Sequence, residues 1–310
     1  MKPRLLFLLS ENWTLVTGRD LPELVRWARI VEDAGVDGVM LSEHVVLGPD
    51  ASAHGVMGNP RDYAMPGNQD PEMPWPSSIV LLSAMAAATT RLRLVAGAII
   101  APLRHPLLLA RELGTLDLVS QGRLVVQPTV SWSRDEYDAL GVPFADRGQI
   151  LDEQLDILQR AWQPGPFSYH GKFFSFDSVS LAPRAHRATG PRLWFGGQRL
   201  HSALLRRLVR YGHGFHPLGQ PAPAELAALT TAMAEAGRDA GELELVGGTR
   251  AVFPDDHSVA DLGAAMDPIR EQIAAGFSTF CVKPSQFIDD PADLPRFCAD
   301  VVRRLDEMAG

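Results

Sequence analysis

The chain has 310 residues, 46% of them apolar, and a formal net charge of −8 with acidic and basic residues interspersed. That supports a sizeable core and speaks against the basic surface of a nucleic-acid partner. No apolar run approaches the roughly 20 residues of a membrane span, and the N-terminus shows no signal-peptide pattern, so a cytoplasmic protein with no membrane partner is expected.

Short β-rich runs alternate with helical patterns along the sequence. Residues 4–9 read as a strand and 21–34 as a helix ended by Gly35. Residues 38–41 read as a strand, 77–90 as a small-residue helix, 92–100 as a strand and 106–120 as a helix. A fourth strand over 124–126 leads into a polar, aromatic loop over 131–148 and a helix over 149–162. Strands over 192–195, 214–216, 243–252 and 279–283 then alternate with helices over 202–211, 224–236, 259–275 and 294–308.

Continuously apolar strands indicate a parallel sheet buried on both faces. Eight βα repeats without a linker-like break predict a single (β/α)8 TIM barrel over 1–310. Two insertions exceed ordinary loops. Residues 43–76, after the second strand, read as a lid in which Met57, Tyr63, Met65, Met73 and Trp75 offer apolar cover. Residues 164–187, before the fifth strand, contain a hairpin-like excursion around Gly171.

In a barrel of this kind, side chains at the C-terminal strand ends face the ligand. His44 is the acid/base candidate, because its ordinary pKa lies near working pH, and Glu43 beside it could orient it. Trp13, Trp75, His216, Arg250 and Lys283 are candidates for contacting a substrate or an anion. Gly196-Gly197 would bring backbone amides to an anion, with Gln198 following. The histidines form no HxH or HExxH pattern, so no metal site is expected. The two cysteines, Cys281 and Cys298, read as buried thiols. Nucleophile-elbow, P-loop and first-strand GxGxxG motifs are absent from the sequence.

The chain resembles the bacterial luciferase-like monooxygenase superfamily, especially its branch dependent on coenzyme F420, a deazaflavin. The resemblance is carried by Ser42-Glu43-His44, by His105-Pro106 with Ala110-Arg111-Glu112-Leu113 and Leu116-Asp117, and by Ser120-Gln121-Gly122-Arg123-Leu124. It continues through the loop over 132–148 with Asp152-Glu153, then Tyr169-His170-Gly171, Pro191 and Gly196-Gly197. It implies a barrel with F420, or alternatively FMN, at its mouth, acting on a small-molecule substrate as a homodimer. Hydride transfer is the implied reaction; the alternatives are an FMN-dependent monooxygenase and a flavin-binding barrel without catalysis.

By the same resemblance the ring packs on the third strand at Ala98 and Ile99, with a non-proline cis peptide between them. His44 lies near the reactive face, and Arg147 pairs with Glu153 to start a helix. One stretch departs from the family. Gln127-Pro128-Thr129-Val130-Ser131 stands where relatives carry a glycine-rich run, so Gln127, Thr129, Ser131 and Trp132 would contact the cofactor through side chains.

Overall fold

The structure, a computed structural model, describes residues 2–309. Eight parallel strands close into a barrel: β1 (Arg4–Leu8), β2 (Gly38–Leu41), β3 (Arg93–Ile100), β4 (Leu124–Thr129), β7 (Arg192–Gly197), β8 (Gly214–Pro217), β9 (Glu244–Gly248) and β10 (Thr279–Val282). The helices are α1 (Leu21–Asp33), α2 (Ser78–Ala88), α3 (Pro106–Val119), α4 (Arg134–Ala139), α5 (Arg147–Ala161), α6 (Ser202–Tyr211), α7 (Pro223–Glu235), α8 (Leu262–Met266), α9 (Ile269–Ala274) and α10 (Leu294–Ala309). Outside the barrel, β5 (Phe167–His170) and β6 (Ser175–Val179) form the expected antiparallel hairpin.

Alternation along each strand divides the core in two. Outward residues such as Leu5, Phe7, Leu94, Ala96, Val126 and Phe280 pack under the helices. On α1, Leu24, Trp27, Ala28 and Val31 recur at helical spacing and bury against this layer. Full burial of one such leucine stabilises the fold by about 2 kcal/mol. Inward residues Leu6, Leu8, Met40, Val95, Val125, Trp194, Val246 and Cys281 fill the barrel itself. At its floor, Glu244 accepts from Arg93 at 2.5 Å and from Thr279, with Arg4 at 3.4 Å. The floor is closed by paired charge.

Several boundaries differ from the sequence reading, each for a local reason. The strand expected over 243–252 ends at Gly248, and the helix expected over 259–275 is interrupted where Pro268 caps α9. The polar loop over 131–148 contains α4 and a short 3₁₀ turn over Phe144–Asp146. Strand β4 continues through Pro128, which faces Ile99 where the β3–β4 register shifts. A bulge needs no ladder donor there, so proline is tolerated.

That shift places the cis peptide between Gly97 and Ala98, one residue before the bond the resemblance implied. Gly97 pairs with Gln127 and Ile99 with Pro128, so Ala98 is the residue the bulge adds. A Cβ on Gly97 would meet Met40 Sδ at 2.8 Å, which accounts for glycine at this position.

The ion pair expected between Arg147 and Glu153 does not form. Arg147 lies over the Phe144 ring at 3.7 Å, and Glu153 accepts the backbone N–H groups of Lys172, Phe173 and Phe174. The hairpin turn needed that acceptor more than helix α5 needed a bridge.

Candidate active site at the barrel mouth

The insertion after β2 crosses the C-terminal rim and ties to the opposite side. Asn59 Nδ2 donates to the carbonyls of Asp255 and Ser258 at 3.0 and 2.9 Å, and Arg61 donates to the His257 carbonyl at 2.7 Å. Lys283, 0% exposed, donates from Nζ to the Asp62 carbonyl at 2.7 Å and lies 3.6 Å from Glu11 Oε2. Burial pushes the Lys283 ammonium below its ordinary pKa, and Glu11 opposes the shift. Glu11 also accepts the Ala64 N–H at 3.2 Å. Lys283 thus holds the insertion down through its ammonium.

Between these anchors Tyr63 turns its ring into the barrel. It packs against the inward cluster, with Lys283 Nζ 5.4 Å from the ring centroid. Burial raises its phenol above the ordinary range. Of the other residues expected to cover the mouth, Met57, Met73 and Trp75 are partly buried, whereas Met65 is exposed.

His44 lies under the same insertion, 8% exposed. Its Nδ1 is 3.1 Å from Glu136 Oε2, and the same carboxylate accepts from Val45 N at 2.7 Å and Ser131 Oγ at 3.1 Å. An ionised carboxylate only accepts, so in the neutral ring the proton belongs on Nδ1 and Nε2 is bare. Nε2 meets Gln69 Nε2 at 3.5 Å. Trp75 and Trp132 stand edge-on to the imidazole, with centroids at 4.9 and 5.6 Å.

Glu43 does not orient His44. Both its oxygens are bound by Arg104, at 2.8 and 2.7 Å, and it also accepts from Ser78 Oγ and the Ile100 N–H. Glu43 thus has its carboxylate occupied by partners of its own, and it shares none of them with His44. Glu136, 92 residues away in sequence, takes the place expected for Glu43. The sequence reading missed it because the loop that carries it was not read as helical. The one available signal was an acidic side chain within the matched stretch over 132–148.

Deeper in the mouth, His216 Nδ1 lies 2.9 Å from Gln127 Oε1, and its Nε2 lies 3.8 Å from Cys281 Sγ. Burial lowers the His216 imidazole to about 4 and raises the Cys281 thiol to about 12, so both are neutral near pH 7. A Cβ on Gly196 would collide with the His216 carbonyl oxygen, so glycine is required there. Gly196 and Gly197 belong to β7, and the following helix is capped instead by the His201 side chain.

The remaining candidates scatter. Ala98 is half-buried in β3, but the Ile99 side chain lies in the outer core. Thr129 and Ser131 are partly buried at the rim, and Gln198 is exposed. Trp13 is partly buried, its indole N–H without a protein partner among the described residues. Arg250 is exposed and lines an outer groove with Pro221, Leu226 and Phe277, away from Lys283.

A closed parallel barrel with helices between its strands, whose polar side chains gather under a βα insertion at the C-terminal rim, defines a (β/α)8 protein, a class that builds its sites at that rim. The model of the luciferase-like monooxygenase family matches residues 3–292, and the chain belongs to that family. It is 30% identical over 161 residues to an uncharacterised protein of Mycobacterium tuberculosis, covering 51% of this chain and 54% of that one. It is also 30% identical over 123 residues to the FMNH(2)-dependent dimethylsulfone monooxygenase of Pseudomonas putida, covering 39% of this chain and 34% of the relative. The chain thus spans about half or less of these curated relatives. The coenzyme F420-dependent tetrahydromethanopterin reductase of Methanopyrus kandleri superposes over the full length of both chains, with a TM-score of 0.71 at 14% identity. At that identity the likeness is one of fold.

Proposed function

We propose that the chain is an oxidoreductase that transfers a hydride between a deazaflavin of the coenzyme F420 type and a small organic substrate, with His44 handling the proton. The observation that carries this reading is the buried Glu136–His44 pair, walled by Trp75 and Trp132 at the mouth of the barrel. His44 Nε2 is the free end of the pair. At 3.5 Å the Gln69 contact is at the long limit of a hydrogen bond, so a substrate hydroxyl can donate to Nε2 beside it.

The residues present fit a flat ring through aromatic surface: Tyr63 packs against the inner layer, and Trp75 and Trp132 stand beside His44. The β3 bulge and Gly196-Gly197 would support the ring, with Gln127, Thr129, Ser131, Trp132 and Gln198 serving its polar remainder. Bound there, the deazaflavin supplies or accepts the hydride. His44 Nε2 gives or takes the matching proton, Glu136 stabilises the imidazolium form, and the insertion with Tyr63 excludes water. Glu43 and Lys283 act structurally in this reading, and Arg250 takes no part.

The second reading is a monooxygenase using reduced FMN, supported by the sequence match to the dimethylsulfone enzyme. Fluorescence-quenching titrations of the protein with F420 and with FMN separate the two. Deazaflavin is expected to bind at least about tenfold more tightly; the reverse order overturns the first reading. We also propose a cytoplasmic homodimer joined through the outer faces of α2 and α3, where Val80, Leu108 and Val119 are exposed. A monomeric mass by light scattering contradicts it.

A further inference from the structure

We propose that Gln69 reads the substrate, and that what it reads is an amide or lactam: a flat unit with an N–H donor beside an acceptor. This rests on the His44 reading above. Gln69 is 1% exposed and reaches the mouth from the insertion, its backbone N–H held by the Ala51 carbonyl at 2.8 Å. Its side-chain Nε2 lies 3.5 Å from His44 Nε2.

The chemistry of the pair fixes which way the amide faces. Glu136 takes the Nδ1 proton, so Nε2 of the neutral ring is an acceptor and Gln69 must turn its NH₂ toward it. That leaves Gln69 Oε1 buried with no protein partner among the described residues. The indole N–H of Trp75, which also packs on His44, is likewise buried and unpaired.

Unpaired buried polar atoms are uncommon in folded proteins. Here an orphaned acceptor and an orphaned donor belong to two side chains that touch the same acid/base histidine. Trp75 and Trp132 add aromatic surface on which a flat group can rest. A ligand that donates to Gln69 Oε1 and accepts from Trp75 Nε1 satisfies both atoms, and an amide or lactam carries that pair on neighbouring atoms. A ketone, ester or thioether supplies only an acceptor, and a hydrocarbon supplies neither. Sites built to hydrogen-bond a ligand reject analogues lacking the matching group, because the site's own polar atoms are then left unpaired.

The test uses 2-pyridone, a flat lactam, and N-methyl-2-pyridone, which lacks the donor, titrated calorimetrically into wild-type protein, Gln69→Leu and Gln69→Glu in the presence of F420. Wild type is expected to prefer 2-pyridone by at least about tenfold. Gln69→Leu should abolish the preference, and Gln69→Glu, which keeps the size and an acceptor oxygen, should retain it. Equal binding of the two probes by wild type overturns the proposal, as does a preference that survives in Gln69→Leu or no binding of either probe. Cofactor titrations of the same proteins without probe report separately: failure of wild type to bind F420 or FMN sinks the function reading, whereas normal cofactor binding with no lactam preference sinks only the role of Gln69.

Discussion

His44 and His216 are both buried at the barrel mouth, yet their partners set them up for different work. His216 faces a neutral amide and a neutral thiol, and burial alone drives its pKa down to about 4. His44 faces a buried carboxylate that two further donors, the Val45 N–H and the Ser131 hydroxyl, hold in place. A carboxylate at Nδ1 fixes the tautomer and orientation of the His44 ring and leaves Nε2 bare. His216 has no charged partner and remains a fixed dipole. Burial is common to both; the charge of the partner makes the difference.

Removing the counter-charge is the strongest way to break that contrast. Glu136→Leu should lower turnover at least about 100-fold and, by orphaning three donors, destabilise the fold by about 3 kcal/mol, read as a shift in the urea midpoint. His44→Ala should cost turnover to a similar degree; unchanged activity and affinity would favour a binding barrel without catalysis. Arg104→Ala tests whether Glu43 belongs to the pair. It leaves Glu43 as a buried charge without a cation and should destabilise by about 3 kcal/mol, while cofactor affinity in the surviving folded protein stays the same.

The His216 side is sharpened by pH. Its folded pKa of about 4 lies below the ordinary 6.5, so the unfolded chain binds the extra proton first as pH falls. Its contribution to stability is therefore intact above pH 6.5 and lost as pH falls toward about 4, by about 3 kcal/mol in all. Stability curves of wild type and His216→Gln should diverge in slope across that window; parallel curves would show that His216 is not buried neutral.

The smallest expected effect is at Ser131, a non-glycine residue at φ 57°. Ser131→Gly relieves a left-handed conformation worth about 1 kcal/mol and loses a hydrogen bond to Glu136 of similar worth, together with a long 3.4 Å contact from the Ser133 N–H. Stability should change by less than about 1 kcal/mol. A larger loss would mean that the hydroxyl holds Glu136 and the Ser133 N–H more firmly than those contacts suggest.

The barrel was legible because its signals are periodic and local. Apolar strands such as 93–100, alternating with amphipathic helices such as α1, define a parallel sheet without knowledge of any contact. His44 was legible through its residue type and its place at a strand end. Its partner was not: Glu136 reaches it from another βα unit, and no spacing within either segment announces the contact. The same holds for Tyr63 and Lys283, which meet only because the insertion crosses the rim. Glu43 shows the converse error, since adjacency in sequence suggested a partnership, whereas Arg104, Ser78 and the Ile100 N–H occupy its carboxylate.

The most direct measurement is the tautomer of His44. Long-range ¹⁵N–¹H correlation spectra of ¹⁵N-labelled protein, assigned with His44→Gln and His216→Gln, distinguish a proton on Nδ1 from one on Nε2. Expected is a neutral His44 ring with Nδ1 protonated and Nε2 bare, a pattern lost in Glu136→Leu. A wild-type ring with the proton on Nε2, or a pattern unchanged by Glu136→Leu, would contradict the role given to the pair.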